Sequence, residues 1–223
     1  MIQFDIITIF PELIEHYANE SILKRAQEKK LIQIKAHDLR DFTIGKHKQV
    51  DDRPFGGGPG MILMVEPIAK AINKIKSKPS TRSGYKSRVI MLTPAGKTFD
   101  QKMGKRLAKY DQLILLSGRY EGFDARIDKL VDEKISIGNY VLAGGELPAM
   151  IVTEVVARHI PSVVGHKDAL AEETFGPSPD YVEYPQYTRP ENYKGQKVPE
   201  ILLSGNHKKI SEWRQKMAKI RKI

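Results

Sequence analysis

Apolar positions along the 223 residues follow two different periods. Short β-branched and aliphatic runs at 2–9, 31–36, 88–92, 113–116 and 134–137 have the length and texture of strands. Between them, apolar residues recur at helical spacing over 11–17, 21–29, 64–75, 100–108 and 147–160. Pro11 and Pro148 suit the first turn of their helices, where a missing N–H breaks no intrahelical bond. Leu23 and Ala26 face inward in the second helix, and Met150, Ile151, Val155 and Ile160 form the inward stripe of the last. Residues 37–42 read as polar loop and 74–86 as a loose basic connection. Strands that alternate with helices predict an α/β fold, a parallel sheet with helices on both faces.

The texture changes after Pro161, where periodic apolar signal fades into Gly176-Pro177-Ser178-Pro179. This divides the chain into an α/β domain over 1–160, a linker over 161–180 and a small helical domain over 181–223. A closing helix is expected over 206–222, capped by Asn206 and striped by Ile210, Trp213, Met217 and Ile220. It carries Lys208, Lys209, Arg214, Lys216, Lys219, Arg221 and Lys222 against one acid, Glu212. Such a run is usually a solvated face, but beside aromatic residues it points to nucleic acid.

Glycine-rich loops leave the carboxyl ends of three predicted strands: 93–98, TPAGKT; 118–122, GRYEG; and 138–145, GNYVLAGG. In a parallel sheet these ends form the binding crevice, and glycine lets a ligand approach bare backbone. The Gly-Lys-Thr of the first loop is not a phosphate loop, because the required glycine five positions before Gly96 is Met91. A further loop, DDRPFGGGPGM over 51–61, holds four glycines and two prolines within eight residues and suits neither helix nor strand. Its spacing alone fits a surface loop as well as a ligand loop.

Composition narrows the chemistry. Thirty-seven basic residues against 27 acidic ones give a formal charge of +10, which favours a polyanionic partner. Cysteine is absent, so there is no disulfide, thiol nucleophile or thiolate metal site. The six histidines show no HExxH or HxH spacing, and no metal ligand set is assigned. The N-terminus has an acid in its apolar stretch and no basic flank, and no run approaches membrane-spanning length. A cytoplasmic protein without a membrane partner is expected.

Gly118-Arg119-Tyr120-Glu121-Gly122, followed by the run SIGNYVLAGGELPAM over 136–150, resembles the cofactor half of the bacterial tRNA (guanine-N1)-methyltransferases of the SPOUT class. The DDRPFGGGPGM and TPAGKT loops match further signatures of that family. The resemblance implies a C-terminal trefoil knot and a cofactor, S-adenosyl-methionine, bound bent against Leu92, Thr93, Pro94, Gly118, Tyr120, Glu121, Ile137, Gly138, Asn139, Tyr140, Val141, Leu142, Gly144, Gly145 and Pro148. It also implies a homodimer that shares its active sites, and a substrate guanine at position 37 in the tRNA anticodon arm. Arg158 carries over as the group that steadies charge on the base, and Glu121 as an acid tied to cofactor placement and to a magnesium requirement. The general base falls on Asp180, with Glu183 second, because the family's Asp-Gly linker motif is altered here: Phe175 and the 185–190 run match, but the interval between them is two residues longer. That departure also keeps two other readings open, a SPOUT methyltransferase with another RNA target and a non-catalytic RNA-binding protein of the same fold.

Overall fold

A computed structural model describes residues 1–76, 84–165 and 170–220. They fall in two compact units, Met1–Gly165 and His166–Ile223.

In the first unit the elements are β1 (Ile2–Thr8), α1 (Pro11–Ala18), α2 (Ser21–Glu28), β2 (Ile32–Asp38), β3 (Asp51–Asp52), β4 (Ile62–Leu63), α3 (Val65–Lys76), β5 (Ser87–Thr98), α4 (Gln101–Leu107), β6 (Gln112–Ser117), β7 (Glu133–Ser136) and α5 (Glu146–Arg158). Five strands form one parallel sheet in the order β2-β1-β6-β5-β7. Side chains alternate along each strand, so β6 gives Leu113 and Leu115 to one core and Ile114 and Leu116 to the other. The first core is closed by α1, α2, α4 and α5 and also takes in Val163; the second is closed by α3. Burial on both faces explains why these strands read as continuous apolar runs.

Several local expectations need correction. Strand β2 runs on through Asp38, whose carboxylate accepts from Arg40 N to start a 3-10 turn over Leu39–Phe42, so 37–42 is not plain loop. The TPAGKT segment is not a tight turn either. It belongs to β5, which pairs with β7 at Ile90–Leu92, leaves the ladder, and rejoins it at Lys97 and Thr98. Gly96 permits this, since a Cβ there would lie 2.6 Å from the Ile135 backbone. On α5, Ile151 is 42 % exposed, and the buried stripe is carried by Ala149, Met150, Val152, Thr153, Val156 and Ala157. The expected connection 74–86 falls partly outside the described residues, with α3 continuing to Lys76.

The second unit holds β8 (Tyr181–Val182), β9 (Asn192–Tyr193), β10 (Gln196–Lys197), α6 (Glu200–Leu203), α7 (His207–Met217) and β11 (Lys219–Ile220). Asn206 caps α7 by accepting from Lys209 N at 3.1 Å. The helix stops at Met217 because Ala218 is extended (ψ 144°), and Lys219 and Ile220 pair antiparallel with Tyr181 and Val182. The expected helical stripe therefore ends before Ile220, and Arg221 and Lys222 lie outside the described residues.

Candidate active site

All five strands being parallel, their carboxyl ends share one edge, and the part of β5 that leaves the ladder meets the loops leaving β6 and β7 there around a cavity of about 440 Å³. Of the expected cofactor residues, Leu92, Thr93, Pro94, Gly118, Tyr120, Glu121, Ile137, Tyr140, Val141, Leu142, Gly144, Gly145 and Pro148 line it. Gly138 and Asn139, also expected to bind the cofactor, are not among the lining residues. Gly138 shapes the loop instead: its φ is 150°, and the Tyr140 ring lies where a Cβ would stand, at 2.4 Å.

The loops are held by one another. Gly145 N donates to Gly118 O at 2.8 Å, and residues 119 and 144 form an antiparallel bridge. A Cβ on Gly145 would lie 2.7 Å from Gly118 N and Ser117 Cα, so only glycine lets these two segments cross. Tyr120 sits at φ 58°, a left-handed position that costs a β-carbon-bearing residue about 1 kcal/mol or more, and it presents its side chain to the cavity.

The 51–61 loop is closed at its base by β3 and β4 and stitched to the GRYEG loop, with Glu121 N donating to Met61 O at 3.0 Å and Leu63 N to Gly122 O at 2.9 Å. Gly60, at φ 81°, leaves room for Glu121, whose Cγ and Oε1 would be 2.7 Å from a Cβ. The loop that its spacing left open thus abuts a cavity residue.

Sequence reasoning passed over other lining residues. Asp128, in the 3-10 turn Ala125–Lys129, pairs at 2.7 Å with Lys134 at the cavity wall, and nothing local in the sequence marks either. Arg119 lies inside the GRYEG motif yet went unassigned. Its Nε donates to Glu146 Oε2 at 2.9 Å, and its guanidinium lies 4.6 Å from the Phe10 ring centroid.

The other two expected catalytic residues are Arg158, in the first unit, and Asp180, in the second. Arg158 is half-buried in the last turn of α5, whose first turn borders the cavity. Ten residues of helix from Pro148 put it about 15 Å further along the axis. Asp180, half-buried in the second unit, makes no hydrogen bond or ion pair with the described residues, whereas the Glu183 carboxylate accepts from Gln186 Nε2. Among the described residues no group of three His, Asp or Glu side chains stands ready to hold a metal ion.

The model of the family tRNA (Guanine-1)-methyltransferase TrmD matches residues 2–223. The chain belongs to that family. Curated relatives named tRNA (guanine-N(1)-)-methyltransferase agree along nearly the full length. The protein of Mycoplasmopsis synoviae (strain 53) is 50 % identical over 214 residues, 96 % of this chain and 90 % of the relative. That of Dictyoglomus turgidum (strain DSM 6724 / Z-1310) is 49 % identical over 218 residues, 98 % and 85 % respectively. That of Staphylococcus carnosus (strain TM300) is 45 % identical over 220 residues, 98 % and 86 %. No helix among the described residues is long and apolar enough to cross a membrane.

Proposed function

We propose that this protein transfers a methyl group from S-adenosyl-methionine to the ring N1 of guanine 37 in the tRNA anticodon arm. The observation that carries the reading is the single cavity built from the three signature loops of a methyltransferase family. Its lining suits the donor: Leu92, Pro94, Ile137, Leu142 and Pro148 offer apolar surface for a purine, glycine backbone offers hydrogen-bonding groups, and Glu121 supplies negative charge for a cationic ligand. Bound there, S-adenosyl-methionine supplies an electrophilic methyl group. The protein's own task is then to orient the acceptor and remove its proton.

Asp180 takes the N1 proton as the new N–CH₃ bond forms, and Arg158 faces the charge that gathers on O6. The uncommitted carboxylate of Asp180 favours it over Glu183, which is engaged by Gln186. Arg158, about three helical turns from the cavity edge of its own chain, reaches a reacting base more readily from a second copy, which supports a homodimer with shared sites. Leu13 and Tyr17 of α1 and Leu147 and Ile151 of α5 are exposed on helices joined by the Tyr17 hydroxyl, which donates to Glu154, and supply apolar surface for it. The trefoil knot belongs to the same reading, supported by the tight crossings of Gly145 on Ser117–Gly118 and of Gly96 on Ile135. Arg189 and the cations of α7 hold tRNA phosphates, and the activity is placed in the cytoplasm with tRNA maturation. Magnesium dependence is assigned to the neighbourhood of Glu121, where among the described residues no ready metal cage stands.

Methyl transfer to unmodified tRNA transcripts, with the modified base mapped, tests the reading. N1-methylguanine at position 37 is expected, and donor binding without transfer to guanine would leave only an RNA-binding module. Within the reaction, Asp180→Ala is expected to lower kcat about 10²- to 10⁴-fold while Glu183→Ala stays within a few-fold. The reverse pattern moves the base to Glu183.

A further inference from the structure

Glu146 is a buried carboxylate, 3 % exposed, that does not line the cavity and has no part in the chemistry above. Both its oxygens are engaged. Oε1 accepts from the Thr8 hydroxyl at 2.7 Å, and Oε2 accepts from Arg119 Nε at 2.9 Å. Thr8 Oγ1 in turn accepts from Phe10 N at 2.9 Å, and the Phe10 ring packs under the Arg119 guanidinium. One carboxylate therefore joins the end of β1, the GRYEG loop and the first residue of α5, three segments far apart in sequence.

Burying a carboxylate is costly, and an ion pair at such a site returns little net stability compared with apolar packing. What it does deliver is geometry. Gly144 is so close to Arg119 that a Cβ would lie 2.1 Å from Nε, and Gly145 N donates to Gly118 O, so the Arg119 side chain sits at the contact between two cavity loops. Arg119 itself lines the cavity, and its bond to Glu146 and its packing over Phe10 fix where that side chain stands beside Tyr120 and Glu121.

We propose that Glu146 is a positioning residue for the methyl donor: acting through Arg119 and braced by Thr8, it sets the spacing of the 118–122 and 138–145 loops. The inference rests on the reading of the cavity as the S-adenosyl-methionine site. Glu146 touches neither donor nor acceptor. Its loss weakens donor binding and leaves the chemical step nearly intact once the donor is bound.

The test compares the full-length wild type with Glu146→Gln, Arg119→Gln, the double variant and Thr8→Val. S-adenosyl-methionine Kd is measured by calorimetry, and kcat and both KM values by methyl transfer to tRNA. Glu146→Gln is expected to raise Kd and donor KM about 10- to 100-fold, the factor a lost charge-assisted hydrogen bond is worth, with kcat and tRNA KM within about threefold. The double variant should be no worse than Glu146→Gln alone, because the pair acts as one unit. Thr8→Val, close in size, should give a smaller rise in donor Kd and carries the test if Glu146→Gln does not fold. Wild-type donor affinity in a folded Glu146→Gln, or in Thr8→Val where Glu146→Gln is unfolded, overturns the proposal. Equal losses in kcat and in affinity for both substrates also overturn it, since they mark general disruption. A wild type that binds no S-adenosyl-methionine refutes instead the reading of the cavity.

Discussion

The two compact units hold their functional residues by opposite means. In Met1–Gly165 the cavity segments rest on buried groups and on backbone crossings that only glycine allows, at Gly96 and Gly145. In His166–Ile223 neither α6 nor α7 buries a residue, and Tyr184 is the buried large side chain among those described. Rings and cations provide the contacts there, with Arg214 4.9 Å from the Tyr184 ring centroid and Tyr187 6.4 Å from Trp213. A small-molecule pocket gains affinity by keeping its shape before the ligand arrives. A surface that gathers a polyanion works through charge density and tolerates looser packing.

The sharpest way to break this contrast is to damage the first unit's crossing. Gly145→Ala places a methyl group 2.7 Å from backbone atoms of residues 117 and 118, neither of which moves as a side-chain tip would. Donor affinity is expected to fall more than about 100-fold and stability by about 1–3 kcal/mol, read by calorimetry and thermal melting. Wild-type affinity in this variant would show that the loops are not held as the crossing requires.

A smaller, different response is expected from the second unit. Replacing Lys208, Lys209 and Lys216 with Gln should raise tRNA KM about 10-fold at moderate salt and reduce the slope of log affinity against log salt by about two. Donor Kd should not change. An unchanged salt slope would remove α7 from the tRNA surface.

The smallest effect on activity is expected at Asp5, buried on β1 away from the cavity lining. Burial raises its carboxyl pKa, but hydrogen bonds from His37 at 2.8 Å, Gln112 at 2.7 Å and Gln3 outweigh that and hold it below the usual value of 3.8. A depressed carboxylate pKa contributes stability above the unfolded value, lost as pH falls through the folded one. Acid unfolding should therefore steepen below about pH 3.8, and Asp5→Asn should flatten that limb. At neutral pH the variant should lose about 2 kcal/mol of stability while kcat stays near wild type, as followed by melting against pH.

By itself the sequence determined the strand and helix pattern, the parallel sheet and the loops at its carboxyl edge, because these follow from apolar period, glycine placement and a family signature spread along the chain. Thirteen of the residues it proposed for the cofactor line the cavity, between Leu92 and Pro148, while Phe123, Asp128 and Lys134 join the lining without any signal in the sequence. Tertiary structure alone decided which partners those residues meet. The bulge at 93–96, the exposure of Ile151, the end of α7 at Met217, the approach of Gly60 to Glu121 and the pairing of Arg119 with Glu146 all depend on neighbours distant in sequence. Periodicity reports which face of an element is buried, while a bond such as Thr8 to Glu146, 138 residues apart, exists only once the folded chain brings its ends together.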